Sequence, residues 1–263
     1  MPVDNHLLAT LRENRAAGRM SLCGYFLAGY PTPEAFYRLV RAASALDVIE
    51  YGIPADNPSM DGVVIAQAHE VVTDERGLGA ETALALIGGL RDVRQPRFVM
   101  TYSRVGRELD GFLRLCLLNG LHGMLAPDMD EDEIRLLSGI MHALNLVVVR
   151  LLDVRADEAT TERVLRLGDI VYLKAAAGRT GTPADIEGEL GDTMRRVIGR
   201  IRAQRPELPI AVGIGIQHPE QVAALAALGV DMAIIGTMLV ERVMAGEDAM
   251  VEYLAAMRAA TQR

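Results

Sequence analysis

The run Val48-Ile49-Glu50-Tyr51-Gly52-Ile53-Pro54, with Asp61-Gly62 behind it, holds the two residues best placed for chemistry. A short β-branched run that finishes in Glu sets a carboxylate at the mouth of a strand. Gly52, Pro54 and Pro58, with Asp56 and Asn57 between the prolines, force a tight irregular connection that returns a second carboxylate, Asp61, toward the same opening. Two acids at one opening can divide proton donation and proton acceptance between them. The plainer reading has Glu50 capping a strand end and Asp61 starting the helix that begins near Val63. These residues alone favour neither reading.

A second chemistry is written in glycine. Gly178-Arg179-Thr180-Gly181, Gly213-Ile214-Gly215 and Gly236-Thr237 each follow a short apolar run, and the last opens an apolar helical stretch. Glycines let backbone N–H groups approach an anion, and a helix start adds partial positive charge. Three such clusters after successive strands predict a phosphate cradle rather than three unrelated tight turns, with Arg179 adding a charge-assisted bond. Lys174, the sole lysine beside 26 arginines (27 basic residues less one), ends the run Ile170 to Leu173. Alternation puts it on the face of Tyr172, toward the strand mouth, where a partly desolvated amine can form an imine. The alternatives are pairing with Glu50 or Asp128, an excursion to solvent, or a phosphate contact.

The elements that must position these groups are legible in the apolar pattern. Strand-like runs recur at Leu22–Leu27, Val48–Tyr51, Phe98–Tyr102, Gly123–Leu125, Leu146–Leu151, Ile170–Leu173, Pro209–Gly213 and Met232–Ile235. Helix-period segments alternate with them: Pro33–Leu46, Ala80–Leu90, Gly111–Leu118, Asp130–Leu144, Asp157–Leu167, Asp192–Gln204 and Pro219–Leu228, with Thr237–Ala245 and Asp248–Thr261 closing the chain. Strict alternation implies a parallel sheet. Eight units without a composition shift predict one domain over 1–263, an α/β fold that is a single (β/α)8 TIM barrel, with an extra N-terminal helix, Asn5–Arg15, closing its floor. Chemistry in such a barrel sits at the C-terminal strand ends, which here carry Glu50, Tyr102, Tyr172, Lys174 and the glycines.

Bulk properties narrow the class. The 263 residues are 50% hydrophobic with a formal charge of -8, which argues against nucleic acid or an anionic membrane as partner. Cys23 and Cys116, the only cysteines, lie in apolar stretches, and no Cys/His spacing suggests a metal or a disulfide framework. Nothing calls for a cofactor. The start of the chain has no signal-peptide core and no later run approaches a membrane span, so a cytoplasmic protein is expected.

These motifs together resemble the tryptophan synthase α subunit family over essentially the whole chain. The family stretch Glu-Leu-Gly-Val-Pro-Phe-Ser-Asp-Pro…Asp-Gly is similar to Glu50-Tyr51-Gly52-Ile53-Pro54-Ala55-Asp56-Asn57-Pro58…Asp61-Gly62. Gly-x-Thr-Gly resembles Gly178 to Gly181, Gly-Phe-Gly-Ile…Pro-Glu-Gln resembles Gly213 to Ile216 with Pro219-Glu220-Gln221, and Gly-Ser resembles Gly236-Thr237. The resemblance implies a cofactor-free retro-aldol cleavage of indole-3-glycerol phosphate to indole and glyceraldehyde 3-phosphate. It implies Glu50 as general acid/base, Asp61 as the acceptor of the ring N–H, and Tyr172 near the reacting carbons. It further implies that Gly181, Gly213, Gly215, Gly236 and Thr237 hold the phosphate, while Tyr25, Tyr102, Leu125 and Ile214 line the substrate site.

Departures fall on the loops that meet a β subunit in the family. Ala55-Asp56-Asn57 replaces Phe-Ser-Asp, Asp130 stands where Pro is usual, and Ser103-Arg104 follows Tyr102. Altered loop 54–61 and Asp130 therefore weigh against pairing with a β subunit. Ile214 for Phe, Tyr25 for Phe and Ala175-Ala176 for Ser-Arg alter the pocket and admit a related phosphorylated substrate. Two rival readings follow: a Schiff-base aldolase using Lys174, whose segment resembles deoxyribose-phosphate aldolase there alone, and a catalytically weak paralogue that binds a phosphorylated metabolite. His69 and His218 have no partner at ligand or triad spacing and read as ordinary.

Overall fold

The computed structural model describes residues 5–108, 111–174, 186, 188–213 and 215–262. Eight parallel strands close in chain order: β1 (Ser21–Leu27), β2 (Val48–Gly52), β3 (Arg97–Met100), β4 (Gly123–Leu125), β5 (Val147–Asp153), β6 (Ile170–Lys174), β7 (Ile210–Val212) and β8 (Met232–Ile235), with β8 pairing back onto β1. Each falls on a run that the apolar pattern marks as a strand. Burial on both faces, between barrel interior and helical layer, explains why these strands read as continuous apolar runs.

The alternation of side chains decides which residues reach the site. Tyr51 faces outward, edge-on to Phe36 of α2 (Pro33–Ala42) with ring centroids 5.8 Å apart, so its neighbour Glu50 faces the barrel interior. Register sets Tyr25 of β1 beside Glu50, and Phe98 of β3 on its other side. Helix α2 starts where the sequence requires it: Thr32 accepts the Ala35 N–H and Pro33 occupies the first turn.

The leading helix α1 (His6–Ala16) does cover the floor. Asn5 caps it and its side-chain amide donates to the carbonyls of His122 and Asn145, which precede β4 and β5. The floor carries a fourfold regularity that inspection of the sequence misses. The residue just before each even strand, Asp47, His122, Asp169 or Asp231, accepts from the backbone N–H of Leu22, Arg97, Val148 or Ile210 on the preceding odd strand. These clasps tie the strands pairwise below the layer that carries function.

Two further elements lie in stretches without clear periodicity: a π-helical turn, Val71–Glu75, continuing α3 (Val63–Glu70), and the short α5 (Ser103–Glu108) after β3. The remaining helices follow the predicted segments: α4 (Ala80–Gly88), α6 (Phe112–Leu118), α7 (Glu131–Ala143), α8 (Glu158–Leu167), α9 (Glu189–Gln204), α10 (Pro219–Ala227), α11 (Thr237–Ala245) and α12 (Glu247–Ala259). Asp130 has a local reason. It caps α7, accepting the Glu133 N–H at 2.8 Å while the Glu133 carboxylate accepts the Asp130 N–H. Among the described residues no helix is long and apolar enough to cross a membrane.

Candidate active site

The C-terminal strand ends open into one cavity. Its wall gathers most of the residues that the sequence singles out: Tyr25, Glu50, Asp61, Leu125, Tyr172, Lys174, Gly213, Gly215, Gly236 and Thr237. Gly178, Arg179, Gly181 and Ile214 lie outside the described residues, as do Ala175 and Ala176. Tyr102 reaches the site from beside the cavity, through its hydroxyl.

Glu50 and Asp61 are both buried, yet their surroundings differ. Desolvation, with the Asp61 charge second, pushes Glu50 up to about 8. Burial raises Asp61 only to about 6, because the Tyr102 hydroxyl donates to Oδ2 at 2.7 Å and favours the carboxylate. At neutral pH one acid holds a proton and the other holds a charge. Tyr102 also fixes the approach of the loop, since its hydroxyl accepts the Met60 N–H at 3.2 Å. Asp61 is thus presented by a loop that folds back onto β3, as the prolines and polar residues between Gly52 and Asp61 require.

Two glycines owe their place to packing. A Cβ at Gly52 would stand 2.0 Å from the Tyr25 hydroxyl, and one at Gly213 would stand 1.8 Å from that of Tyr172. Both tyrosines can lie across the cavity only because these positions lack side chains. Gly215 has φ +71°, which a side chain disfavours, and its carbonyl accepts from the Gln221 side chain. Gln221, at the third position of α10, also accepts the N–H groups of Gln217 and His218 and so braces the loop after β7. The wall at Gly236 is different. A Cβ there would meet only Ile65, at 3.8 Å, and Gly236 opens α11, whose first residue, Thr237, keeps a buried hydroxyl without a partner among the described residues. This is the kind of surface an anion can approach.

Asp128, a suggested partner for Lys174, is engaged elsewhere: both its oxygens accept from Ser103, through the backbone N–H and the hydroxyl, each at 2.8 Å. Among the described residues no carboxylate lies within ion-pair distance of Lys174. One residue that reads as ordinary in the sequence lies against the acids. His69 is buried beside Asp61, its Nε2 3.8 Å from Oδ2 and its Nδ1 accepting the Ala55 N–H. A lone histidine in an apolar helix gives no spacing signal, and only the return of the loop brings its partners to it.

The site and the barrel can be set beside known proteins. A tryptophan synthase alpha chain from Thermobifida fusca is 32% identical over 252 residues, covering 90% of this chain and 88% of the relative. One from Methanosarcina acetivorans is 30% identical, covering 84% and 79%. Among solved structures, tryptophan synthase from Mycobacterium tuberculosis superposes with a TM-score of 0.89 at 25% identity, over 98% of this chain and 99% of that one. The family model described as tryptophan synthase alpha chain matches residues 11–262, and with a closed eightfold barrel and two interior acids at its mouth the chain belongs to that family.

Proposed function

We propose that Glu50 and Asp61 carry out the reaction of this lyase family, the retro-aldol cleavage of indole-3-glycerol phosphate, on this chain. Glu50, protonated at neutral pH, gives its proton to the ring carbon that bears the glycerol group. The positive charge that appears at the ring nitrogen is held by the Asp61 carboxylate, which accepts the ring N–H. The Glu50 carboxylate then takes the proton of the adjacent glycerol hydroxyl as the carbon–carbon bond breaks. Indole and glyceraldehyde 3-phosphate leave, and Glu50 is protonated again. Tyr172 packs across the reacting carbons, while Gly215, Gly236 and Thr237, with Gly181 and Arg179, hold the phosphate. Tyr25, Leu125 and Ile214 bound the ring. The observation that carries this reading is the pairing of the raised, buried Glu50 with the less raised Asp61 on one cavity wall.

The test is incubation with indole-3-glycerol phosphate, with and without a tryptophan synthase β subunit, following indole. Release of indole supports the reading, and its absence in both arms overturns it. The β-subunit arm also tests partnership, which the altered loop 54–61 weighs against and membership of the family favours. A reducing cytoplasm as the place of action accords with the two buried, unpaired cysteines.

Lys174 on the same wall supports a second reading, an imine-forming aldolase. Borohydride with substrate separates the two, because an imine on a side-chain amine can form at one position only. The acid/base reading expects no adduct on the Lys174 peptide and retained activity in Lys174→Met. A reduced-substrate adduct there would replace it.

A further inference from the structure

His69 touches three parts of the site: the loop at Ala55, the Asp61 carboxylate and the Tyr25 hydroxyl. It projects from α3, is 1% exposed, and its Nδ1 accepts the backbone N–H of Ala55 at 3.0 Å, within the loop that delivers Asp61. A neutral imidazole that accepts at Nδ1 carries its proton on Nε2. Burial keeps it neutral, holding it down to about 4. The protonated nitrogen faces two oxygens: the Tyr25 hydroxyl at 3.5 Å and Asp61 Oδ2 at 3.8 Å. The second distance exceeds a hydrogen bond, so in the substrate-free protein the Nε2–H acts on the carboxylate through its dipole.

We propose that His69 is a positioning residue for Asp61: the Ala55 N–H fixes the imidazole tautomer so that Nε2–H is aimed at the carboxylate and keeps it ionised and oriented. The proposal rests on reading Asp61 as the group that holds the ring N–H. Tyr102 and His69 approach the same oxygen from opposite supports, the end of β3 and the face of α3. Loop geometry and charge are thereby coupled, because a shift of Ala55 would release the tautomer. The other titratable groups around Asp61 are Glu50 from β2, Tyr25 from β1 and Tyr172 from β6, with Lys174 on the same cavity wall. Among the described residues Tyr102 donates to Oδ2 and His69 Nε2 lies 3.8 Å from it, so these are the two groups whose removal is tested.

Two substitutions divide the roles of the two nitrogens. His69→Asn keeps an acceptor where Nδ1 stands and removes the donor at Nε2. His69→Gln sets an amide N–H near Nε2 and gives up the acceptor. The readout is the Asp61 titration midpoint in substrate-free protein carrying 13C-carboxyl aspartate, assigned by comparison with Asp61→Asn. We expect His69→Asn to raise the midpoint by about one unit, as loss of a favourable dipole beside the carboxylate should, and His69→Gln to restore at least about half of that displacement. With substrate, His69→Asn should lower kcat about tenfold with KM changed less than about twofold. An Asp61 midpoint in His69→Asn within about 0.2 units of wild type would overturn the proposal. So would equal displacement in both variants, which a merely structural histidine produces. If neither variant folds, the 15N imidazole shifts of wild-type His69 decide: a Nδ1–H tautomer or a cation between about pH 5.5 and 8 refutes it, and a persistent Nε2–H tautomer supports it. Since the titration is read without substrate, failure of wild type to cleave indole-3-glycerol phosphate would sink the assigned reaction and leave this test standing.

Discussion

Two carboxylates separated in sequence by an irregular loop become complementary because one is enclosed among apolar walls and the other is held by a phenol. The pH dependence of kcat/KM should therefore be bell-shaped, with apparent limbs near 6, where the Asp61 side ionises, and near 8, where the Glu50 side loses its proton. Glu50→Gln should lower kcat by roughly a hundredfold or more while phosphate-ligand affinity holds, because the proposed acid acts at the ring and the proposed anion site is formed by other residues, at the ends of β7 and β8. A variant keeping a tenth of the wild-type rate would contradict this role. Tyr102→Phe tests the other acid. Without its 2.7 Å hydrogen bond Asp61 should titrate higher, moving the acid limb of kcat/KM upward with the alkaline limb in place. An unmoved acid limb would show that the limb belongs to another group.

At the level of strands and loops, the question is what each glycine is for. Gly213 reads from sequence as part of an anion cradle, yet its absent Cβ also leaves room for the Tyr172 ring. Gly213→Ala should destabilise the protein by about 1–3 kcal/mol, as overpacking does, and lower kcat by shifting Tyr172. A rise in KM with unchanged urea midpoint would assign the glycine to the anion instead. The eight strands were readable because each is buried on both faces and so forms an apolar run bounded by turn residues. Glu50 was readable because a charged residue interrupts such a run. The outward turn of Tyr51 and the bracing by Gln221 were not, since the first depends on Phe36 from another element and the second on how the loop after β7 folds back to bring the Gly215 carbonyl to the side chain. His69 stayed hidden for the same reason. Its neighbours in sequence are helical and unremarkable, and its partners arrive from β1 and from the loop after β2.

Across the whole molecule, stability and chemistry occupy opposite ends of the barrel. The clasps of Asp47, His122, Asp169 and Asp231 hold the floor, so Asp231→Ala, which strips the buried carboxylate from Ile210 and Arg202, should cost about 3 kcal/mol and leave kcat unchanged. A large loss of kcat in folded protein would join the two ends. The mouth works against folding, and the sign of its pH dependence follows from the shifts. Glu50 has a folded pKa raised above its unfolded value, so its contribution is fully present below about pH 4.5 and is lost as pH rises toward 8. Asp61, also raised, has spent its effect once pH passes about 6. The lowered His69 and His122 act oppositely, adding stability from about 4 up to their unfolded value near 6.5. Between about pH 6.5 and 8 Glu50 therefore acts without these opposing groups, and unfolding free energy should fall by about 2 kcal/mol across that window. Glu50→Gln should remove this decline and exceed wild type in stability at pH 8 while losing turnover, as expected where an active site retains a strained charge. Urea midpoints at constant m-value, taken across the window for both proteins, measure it; parallel curves would mean that Glu50 ionises as readily in the folded barrel as in the unfolded chain, and the acid/base assignment would lose its basis.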